Sequence, residues 1–198
     1  MTFSKEFLSE SVAIIDAIDT DRIEDVAHGL ATLRERGGRL FIIGVGGSAG
    51  HASHAVNDFR KICDIESYTP TDNVSELTAR VNDEGWDTTF AEWLRGSRLS
   101  AKDALLVFSV GGGDEAKGVS ANIVAALRLA TERGTPIFGI VGRDGGTTAK
   151  LANAAVIIPP LFADHITPQT EGLCAVVWHL LVTHPALTKV ATRWESLK

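Results

Sequence analysis

Residues 40–48 read LFIIGVGGS, a run of apolar residues followed by a glycine-rich turn that ends in Ser48. Comparable apolar runs recur at ALLVFSV (104–110), IFGIVG (137–142) and AVIIP (155–159). None of them alternates apolar with polar residues, which is typical of strands buried on both faces of a sheet. Helical patterns separate these runs. The sequence therefore predicts an α/β fold in which a parallel sheet carries helices on both faces.

Helical periodicity places the remaining elements. Apolar residues at three-to-four spacing predict helices at 3–19, 20–36, 48–62, 120–133, 147–153 and 171–183. Thr20 or Asp21 is the predicted N-cap of the second helix. The segment from Ser67 to Ser100 is longer than a simple connection, so we expect it to contain short helices that shape a pocket. We expect one domain over 1–198, with the N-terminal helices in 1–37 and the α/β core in 38–198.

Composition excludes several classes of protein. The formal net charge is −6, and no stripe of Lys or Arg exists to bind nucleic acid or an anionic membrane. The N-terminus lacks the pattern of a signal peptide, and no apolar run reaches the roughly 20 residues of a spanning helix, so we expect a cytoplasmic protein. Cys63 and Cys174 are isolated, which argues against a disulfide framework or a thiolate zinc site.

Three glycine-rich turns follow predicted strands, at 44–48 (GVGGS), 109–114 (SVGGGD) and 142–146 (GRDGG). Glycines let backbone N–H groups approach an anion, a serine hydroxyl adds a donor, and the N-terminus of the next helix adds partial positive charge. Such turns also occur for packing alone. Two serine-bearing turns at equivalent strand ends nevertheless favour a shared phosphate site.

Two familiar nucleotide motifs do not fit. Gly44-x-Gly46-x-x-Ala49 matches the relaxed dinucleotide fingerprint, and Asp64 lies about 20 residues further on, where a ribose-binding acid is expected. Residues 64–69 (DIESYT), however, make a poor second buried strand, and the second serine-bearing turn has no place in that fingerprint. The lysine of a Walker A motif is missing.

Two predicted helices each carry a histidine and a carboxylate. His54 and Asp58 are four residues apart and share a helix face, while Glu171 and His179 lie two turns apart on the last helix. This set suits a divalent metal or proton transfer in an enediol reaction. Hydrogen-bonded histidines and surface His–Asp pairs are also common without any such role. His179 is harder to explain that way, because an idle polar ring among apolar neighbours would cost stability.

The chain resembles the phosphoheptose isomerases of the SIS (sugar isomerase) superfamily. The run GVGGSAGHASHAVNDF resembles their GNGGSxxxxxHxxxE stretch. Further similarities follow in order: SELTARVND (75–83) to the S...ND segment, Ser109 and Ser120-Ala-Asn122 to the two ends of the STSGNS loop, GRDGG (142–146) to GKDGG, and His179 to the histidine of the final helix.

The resemblance implies a three-layer, flavodoxin-like SIS domain with two leading helices, assembled as a homotetramer with sites at subunit interfaces. It assigns acid–base chemistry to Asp58 and His179 and phosphate binding to Ser48, Ser109 and Ser120. The other implied substrate contacts are Gly46, Gly47, Asn82, Asp83, Gly111, Gly112 and Glu171. Some members of the family bind zinc, and the corresponding ligands are His54, Asp58, Glu171 and His179, with His51 as an alternative to His54.

Four substitutions set this chain apart from the family pattern. Val45 replaces an asparagine, Asp58 replaces a glutamate and Pro168 stands where the family has an aspartate that recognises sugar hydroxyls. Glu171 replaces a glutamine, so a divalent metal would meet two carboxylates and two imidazoles. These differences indicate a divergent branch whose sugar or product stereochemistry can differ from the usual one.

The loop between Ser109 and Ser120 is six residues longer than its counterpart in the family. It carries Asp114 and Glu115. Two acids beside a phosphate are unfavourable unless they point away or Lys117 offsets them.

The expected reaction is ketose–aldose isomerisation of sedoheptulose 7-phosphate through an enediol. Asp58 or His179 would remove the proton next to the carbonyl, and the other would handle the proton on oxygen. Two other functions fit the same resemblance: isomerisation of another phosphosugar, or a non-catalytic SIS protein that binds a sugar phosphate or a protein partner. A module that only binds would not need Asp58, Glu171 and His179 together.

Overall fold

The computed structural model describes residues 1–191. Over these residues the helices are α1 (Phe3–Asp16), α2 (Thr20–Glu35), α3 (Gly47–Lys61), α4 (Val74–Glu84), α5 (Thr89–Gly96), α6 (Ala121–Glu132), α7 (Gly146–Leu151) and α8 (Ile166–Thr183). The strands are β1 (Leu40–Ile43), β2 (Ser67–Tyr68), β3 (Ala104–Ser109), β4 (Ile137–Val141) and β5 (Ala154–Ile157). The predicted domain runs to residue 198, and 192–198 lie outside the described residues.

The sheet is parallel throughout, with the strand order β2-β1-β3-β4-β5. This is the flavodoxin-like order, and it confirms the predicted α/β class. Since all strands run the same way, their carboxyl ends meet at one edge of the sheet. The three glycine-rich turns follow β1, β3 and β4, so all three lie along that edge.

Helices cover both faces of the sheet, which explains the continuous apolar runs. Leu40 and Ile42 face a core that also takes residues from α1, α2, α3 and α8, whereas Phe41 and Ile43 face a second core formed with α5 and α6. Successive strand residues point to opposite faces. Because each face is buried, every position in β1 has to be apolar.

The structure corrects three details of the sequence prediction. The N-cap of α2 is Asp19, whose carboxylate accepts the Asp21 N–H at 3.0 Å, rather than Thr20 or Asp21. Ser67 and Tyr68 do form a strand, which pairs with Leu40 and Phe41 at the sheet edge although it is too short to count as a buried strand. The last helix begins at Ile166, five residues before the predicted start.

A buried ion pair fixes the amino ends of β1 and β3. Asp103 is 2% exposed and its carboxylate accepts hydrogen bonds from the side chain of Arg39 at 2.9 and 3.0 Å and from Ser100 N–H at 2.9 Å. Burial alone would raise the pKa of Asp103, but the hydrogen bonds from Arg39 and Ser100 outweigh it and leave that pKa below its usual range. The two central strands are thereby held in register up to their carboxyl ends.

The two cysteines are buried and make no disulfide, as predicted. Burial raises the pKa of both thiols to about 12, so neither is a thiolate near neutral pH. Among residues 1–191, no helix combines the length and apolarity needed to cross a membrane.

Candidate functional site

Two helices begin at the carboxyl edge of the sheet after neighbouring strands. β1 and β3 are neighbours, with Ile43 paired to Val107, and the chain continues from these strands into α3 and α6. Each N-terminus carries unbonded backbone N–H groups and partial positive charge. An anion is the natural ligand of such a pair.

The turn into α3 is shaped by its glycines. Gly46 has φ of 62°, which favours glycine, and is the N-cap of the helix. The Glu171 carboxylate lies against Gly47, where an added Cβ would be only 2.7 Å from Oε1. Within the described chain, the N–H groups of Gly47 and Ser48 have no hydrogen-bond partner, and neither has the Ser48 hydroxyl. The predicted cradle residues therefore offer free donors.

The α6 N-terminus presents a second set of donors. Its N-cap, Ser120, is left-handed with φ of 53° and makes no capping bond through its hydroxyl. The backbone N–H groups of Ala121 and Asn122 also have no partner within residues 1–191. Asn122 is fully buried, yet its Nδ2 has no hydrogen-bond partner in the described part of the chain. An unpaired buried donor is costly, which indicates that this end of α6 is built for a ligand.

Two predicted glycine contacts have other roles in the structure. The N–H of Gly112 donates to Ser109 Oγ at 3.0 Å, and its carbonyl accepts from the Thr148 hydroxyl at 2.7 Å. Both polar groups of Gly112 are therefore used to hold the loop. Gly111 lies beside Arg143, whose Cδ would be 3.7 Å from a Cβ on Gly111.

Asn82 and Asp83, two predicted substrate contacts, lie on α4. Both are exposed on α4, and Asn82 Nδ2 donates to the Asp83 carboxylate at 2.7 Å. No residue of α4 is buried. Their contact with substrate stays a prediction.

A second group of side chains lies where α3 and α8 pack together. Ligand atoms of His54, Asp58 and His179 all lie within 4.8 Å of one another. Asp58 is 2% exposed and one of its oxygens, Oδ1, accepts from Asn57 Nδ2 at 2.9 Å. The other, Oδ2, is buried without a hydrogen bond and lies 3.6 Å from His54 Nε2. The structure thus unites three residues that the sequence predicted to act together.

The tautomer of His179 follows from its backbone contact. His179 Nδ1 lies 2.8 Å from the carbonyl oxygen of Ala175, which can only accept, so Nδ1 carries the proton. In the neutral ring Nε2 is then free to act as a base or a metal ligand. The indole of Trp178 stacks on the His179 ring, with centroids 3.5 Å apart, and meets His54 edge-on at 4.8 Å.

Two predicted or alternative ligands lie outside this group. Glu171 is on α8, two turns before His179, but its carboxylate lies against Gly47 rather than with the other three residues. His51 is not a member of the cluster either, so among the described residues His54 is the histidine of α3 that meets His179. The role of Glu171 as a metal ligand stays a prediction.

The cluster fits a divalent cation. One carboxylate oxygen and two imidazole nitrogens are ligands that zinc accepts, and the unpaired buried Oδ2 of Asp58 lacks any other partner. The hydrogen bond from His179 Nδ1 to Ala175 orients the ring, as backbone carbonyls commonly do for metal-binding histidines. His54 is more than half exposed, so the site is open to solvent on one side.

Sequence reasoning missed two residues of this region. The sequence indicates Trp178 only as an apolar neighbour of His179, because residues i and i+1 of a helix do not normally face the same way. It indicates Asn122 only as the end of a motif, and nothing in the sequence shows that its amide is buried without a partner among the described residues. Both become visible only when the helices are packed.

Comparisons with known proteins agree with this fold. The SIS domain family model matches residues 6–142. The chain is 33% identical over 183 residues to the lincomycin biosynthesis protein LmbN of Streptomyces lincolnensis, a match covering 89% of this chain and 66% of that longer protein. It is 32% identical over 142 residues to the phosphoheptose isomerase of Pelobacter propionicus, covering 69% of this chain and 71% of that enzyme. The solved structure of phosphoheptose isomerase GmhA from Neisseria gonorrhoeae shares the fold, with a TM-score of 0.78, 23% identity and 90% and 95% coverage.

Proposed function

Because the chain belongs to the phosphoheptose isomerase family of SIS-domain proteins, we propose that it converts sedoheptulose 7-phosphate to an aldoheptose 7-phosphate through an enediol intermediate. It is an aldose–ketose isomerase, an intramolecular oxidoreductase. The observation that carries this proposal is the placement of Ser48, His54 and Asp58 along α3. Ser48 and His54 are six residues apart, about 9 Å along the helix axis, which separates a bound phosphate from reacting carbons at the far end of a long sugar.

The phosphate would be held by the paired N-termini of α3 and α6. Ser48 and Ser120 supply hydroxyls that make no other hydrogen bond in the described chain, and the first N–H groups of both helices are free. These hydroxyl and N–H groups can donate hydrogen bonds to the oxygens of a dianionic phosphate. Ser109 contributes from the end of β3, where its Oγ already accepts the Gly112 N–H and can still donate its own proton.

Proton transfer is assigned to Asp58 and His179. One of them removes the proton from the carbon next to the carbonyl, and the electron pair of that C–H bond forms the enediol double bond. The other delivers a proton to the carbonyl oxygen and then takes one from the adjacent hydroxyl, and the first returns its proton to the neighbouring carbon. The close approach of the buried Asp58 carboxylate and the His179 imidazole supports this assignment.

A divalent metal, which we propose to be zinc, would be held by His54, Asp58 and His179. Bound there, it would polarise the substrate carbonyl as a Lewis acid. Asp58 and His179 would then act both as metal ligands and in proton transfer. Removal of the metal should therefore change the reaction rate.

The proposal is tested by incubating the protein with sedoheptulose 7-phosphate and following the sugar by NMR. We expect new aldose signals, and we expect a chelator to suppress them and added Zn²⁺ to restore them. Fructose 6-phosphate in a parallel sample tests the rival function, isomerisation of another phosphosugar. If no aldose forms from the heptulose under any of these conditions, the proposed reaction is wrong.

The departures Val45, Asp58 and Pro168 favour a change in the sugar rather than in the chemistry, because none of them removes a proton-transfer group. The anomeric and ring-proton couplings in the same NMR spectrum report the stereochemistry of the product. An SIS protein that only binds the sugar phosphate would give no product signals in this spectrum. The presence of the His–Asp–His cluster argues against that function.

We also propose a homotetramer, with partner subunits covering the apolar surface of the leading helices. On α1, Phe3, Leu8 and Val12 are 68%, 64% and 58% exposed, and on α8, Val176 is 51% exposed. Large apolar side chains left exposed on these two helices are typical of an interface. Light scattering should give the mass of four 21.1 kDa chains, and Leu8→Glu/Val12→Glu should lower that mass. A monomer at micromolar concentration would contradict the proposal.

A further inference from the structure

A large cavity lies beside the lengthened loop after β3. It measures about 970 Å³ and is bordered by residues 111–119, by the turn after β4 and by parts of α6 and α7. Of the predicted substrate contacts the lining includes Gly111, but it includes none of the serines of the phosphate cradle and none of the His–Asp–His cluster. Its volume is in the range of small-molecule pockets, about 300–1,000 Å³. The catalytic proposal leaves this cavity unexplained.

The lengthened loop has a defined conformation that backbone hydrogen bonds hold in place. At its base, the Thr147 N–H donates to Gly113 O at 2.8 Å and the Thr148 N–H to Gly112 O at 2.9 Å. At its tip, Asp114 and Val119 exchange two backbone hydrogen bonds of 2.9 and 3.0 Å. The six extra residues therefore form a small closed turn, anchored to α7.

Both acids of the loop are neutralised locally. Asp114 pairs with Lys117 at 3.1 Å, and Glu115 pairs with Arg128 of α6. Hydrogen bonds from Lys117 and from Arg128 hold the pKa values of Asp114 and Glu115 below their usual ranges. These four charges cancel in pairs, so the acids do not repel an anion in the cavity as strongly as the sequence suggested.

Two cations of the cavity are left without partners. Within residues 1–191, neither Arg143, in the turn after β4, nor Lys150, on α7, makes a side-chain hydrogen bond or an ion pair. The neighbouring acid, Asp144, instead accepts the Gly146 N–H at 3.1 Å. Arg143 adopts a left-handed backbone with φ of 53°, which is unusual for a residue other than glycine. Its side chain extends past Gly111, toward the loop.

We propose that this cavity binds a small dianion, a phosphate monoester or a dicarboxylate, through Arg143 and Lys150. The guanidinium of Arg143 can bind two oxygens of one anion, and Lys150 supplies a point charge. The lining contains neither Ser109 nor Ser120, and the proposal does not depend on the proposed isomerase reaction. A ligand here would add a contact to the loop that carries both serines.

The test uses the full chain and titration calorimetry at low ionic strength, with inorganic phosphate in one series and succinate in the other. We expect the wild type to bind phosphate at two sites. Arg143→Gln/Lys150→Gln should weaken phosphate binding at the cavity by at least about tenfold. Ser48→Ala/Ser120→Ala should weaken binding at the other site, the phosphate cradle. Succinate binding that is present in the serine variant and absent in Arg143→Gln/Lys150→Gln would identify a dicarboxylate site, whereas phosphate binding alone would identify a phosphate site.

The matched control is Arg98→Gln/Lys102→Gln. Arg98 also has a left-handed backbone, with φ of 55°, and both residues are exposed before β3, at the opposite edge of the sheet. This control should bind both anions like the wild type. The proposal is overturned if Arg143→Gln/Lys150→Gln binds both anions as the wild type does, or if the control weakens binding equally. Failure of the isomerase proposal would instead show as absence of aldose in the NMR assay, while unchanged phosphate binding in the serine variant would contradict only the cradle assignment.

Discussion

Replacing His179 with alanine should lower kcat for sedoheptulose 7-phosphate about a thousandfold, since a positioned acid or base contributes about 10²–10⁴ to the rate. Asp58→Asn should have an effect of similar size, because the amide cannot accept a proton yet keeps the volume of the carboxylate. The double variant should be little worse than either single one, as for residues that act as a unit. The measurement is the NMR assay at saturating substrate, with bound metal quantified for each variant.

The matched control for the histidine is His28→Ala. His28 Nδ1 makes the same bond to the carbonyl four residues earlier, Glu24 O at 2.8 Å, but the residue is exposed on α2. It should turn over substrate like the wild type. Thermal melting and light scattering should show that every variant is folded and assembled. Unchanged turnover in His179→Ala or in Asp58→Asn would remove that residue from the mechanism.

The second large effect is expected from Gly112→Ala, which should lower the free energy of unfolding by about 3 kcal/mol. Gly112 has φ of 68°, and a Cβ there would overlap the carbonyl group of Gly145. The backbone at this point also anchors the loop to Thr148. Because that loop ends in Ser109 and Ser120, the KM for the phosphosugar should rise as well. Urea unfolding and steady-state kinetics measure the two effects.

Gly37→Ala separates backbone strain from the collision. Gly37 has nearly the same φ, 66°, but an added Cβ would meet nothing within 4 Å. Its replacement should cost about 1 kcal/mol and leave KM unchanged. Equal losses of stability in both variants would show that the contact with Gly145 is unimportant.

The core of the fold was predictable because its signals are local. Continuous apolar runs indicated strands buried on both faces, and β1, β3, β4 and β5 are found where those runs occur. The two-residue strand β2 was not predicted, since its pairing depends on β1 and not on its own apolarity. The N-cap of α2 is Asp19 rather than the predicted Thr20 or Asp21. Several neighbouring polar residues can cap a helix, and only the backbone geometry selects one.

By itself, the sequence determined the α/β class, the glycine-rich turns at the carboxyl ends of strands and the helix face shared by His54 and Asp58, because each depends on residues close together in the chain. Only the tertiary structure decided that His179 joins that pair while Glu171 turns to Gly47. It also decided that Arg143 makes no side-chain hydrogen bond or ion pair among residues 1–191. These distances depend on how α3, α7, α8 and the loop pack, and packing is a property of the whole core that no local pattern encodes.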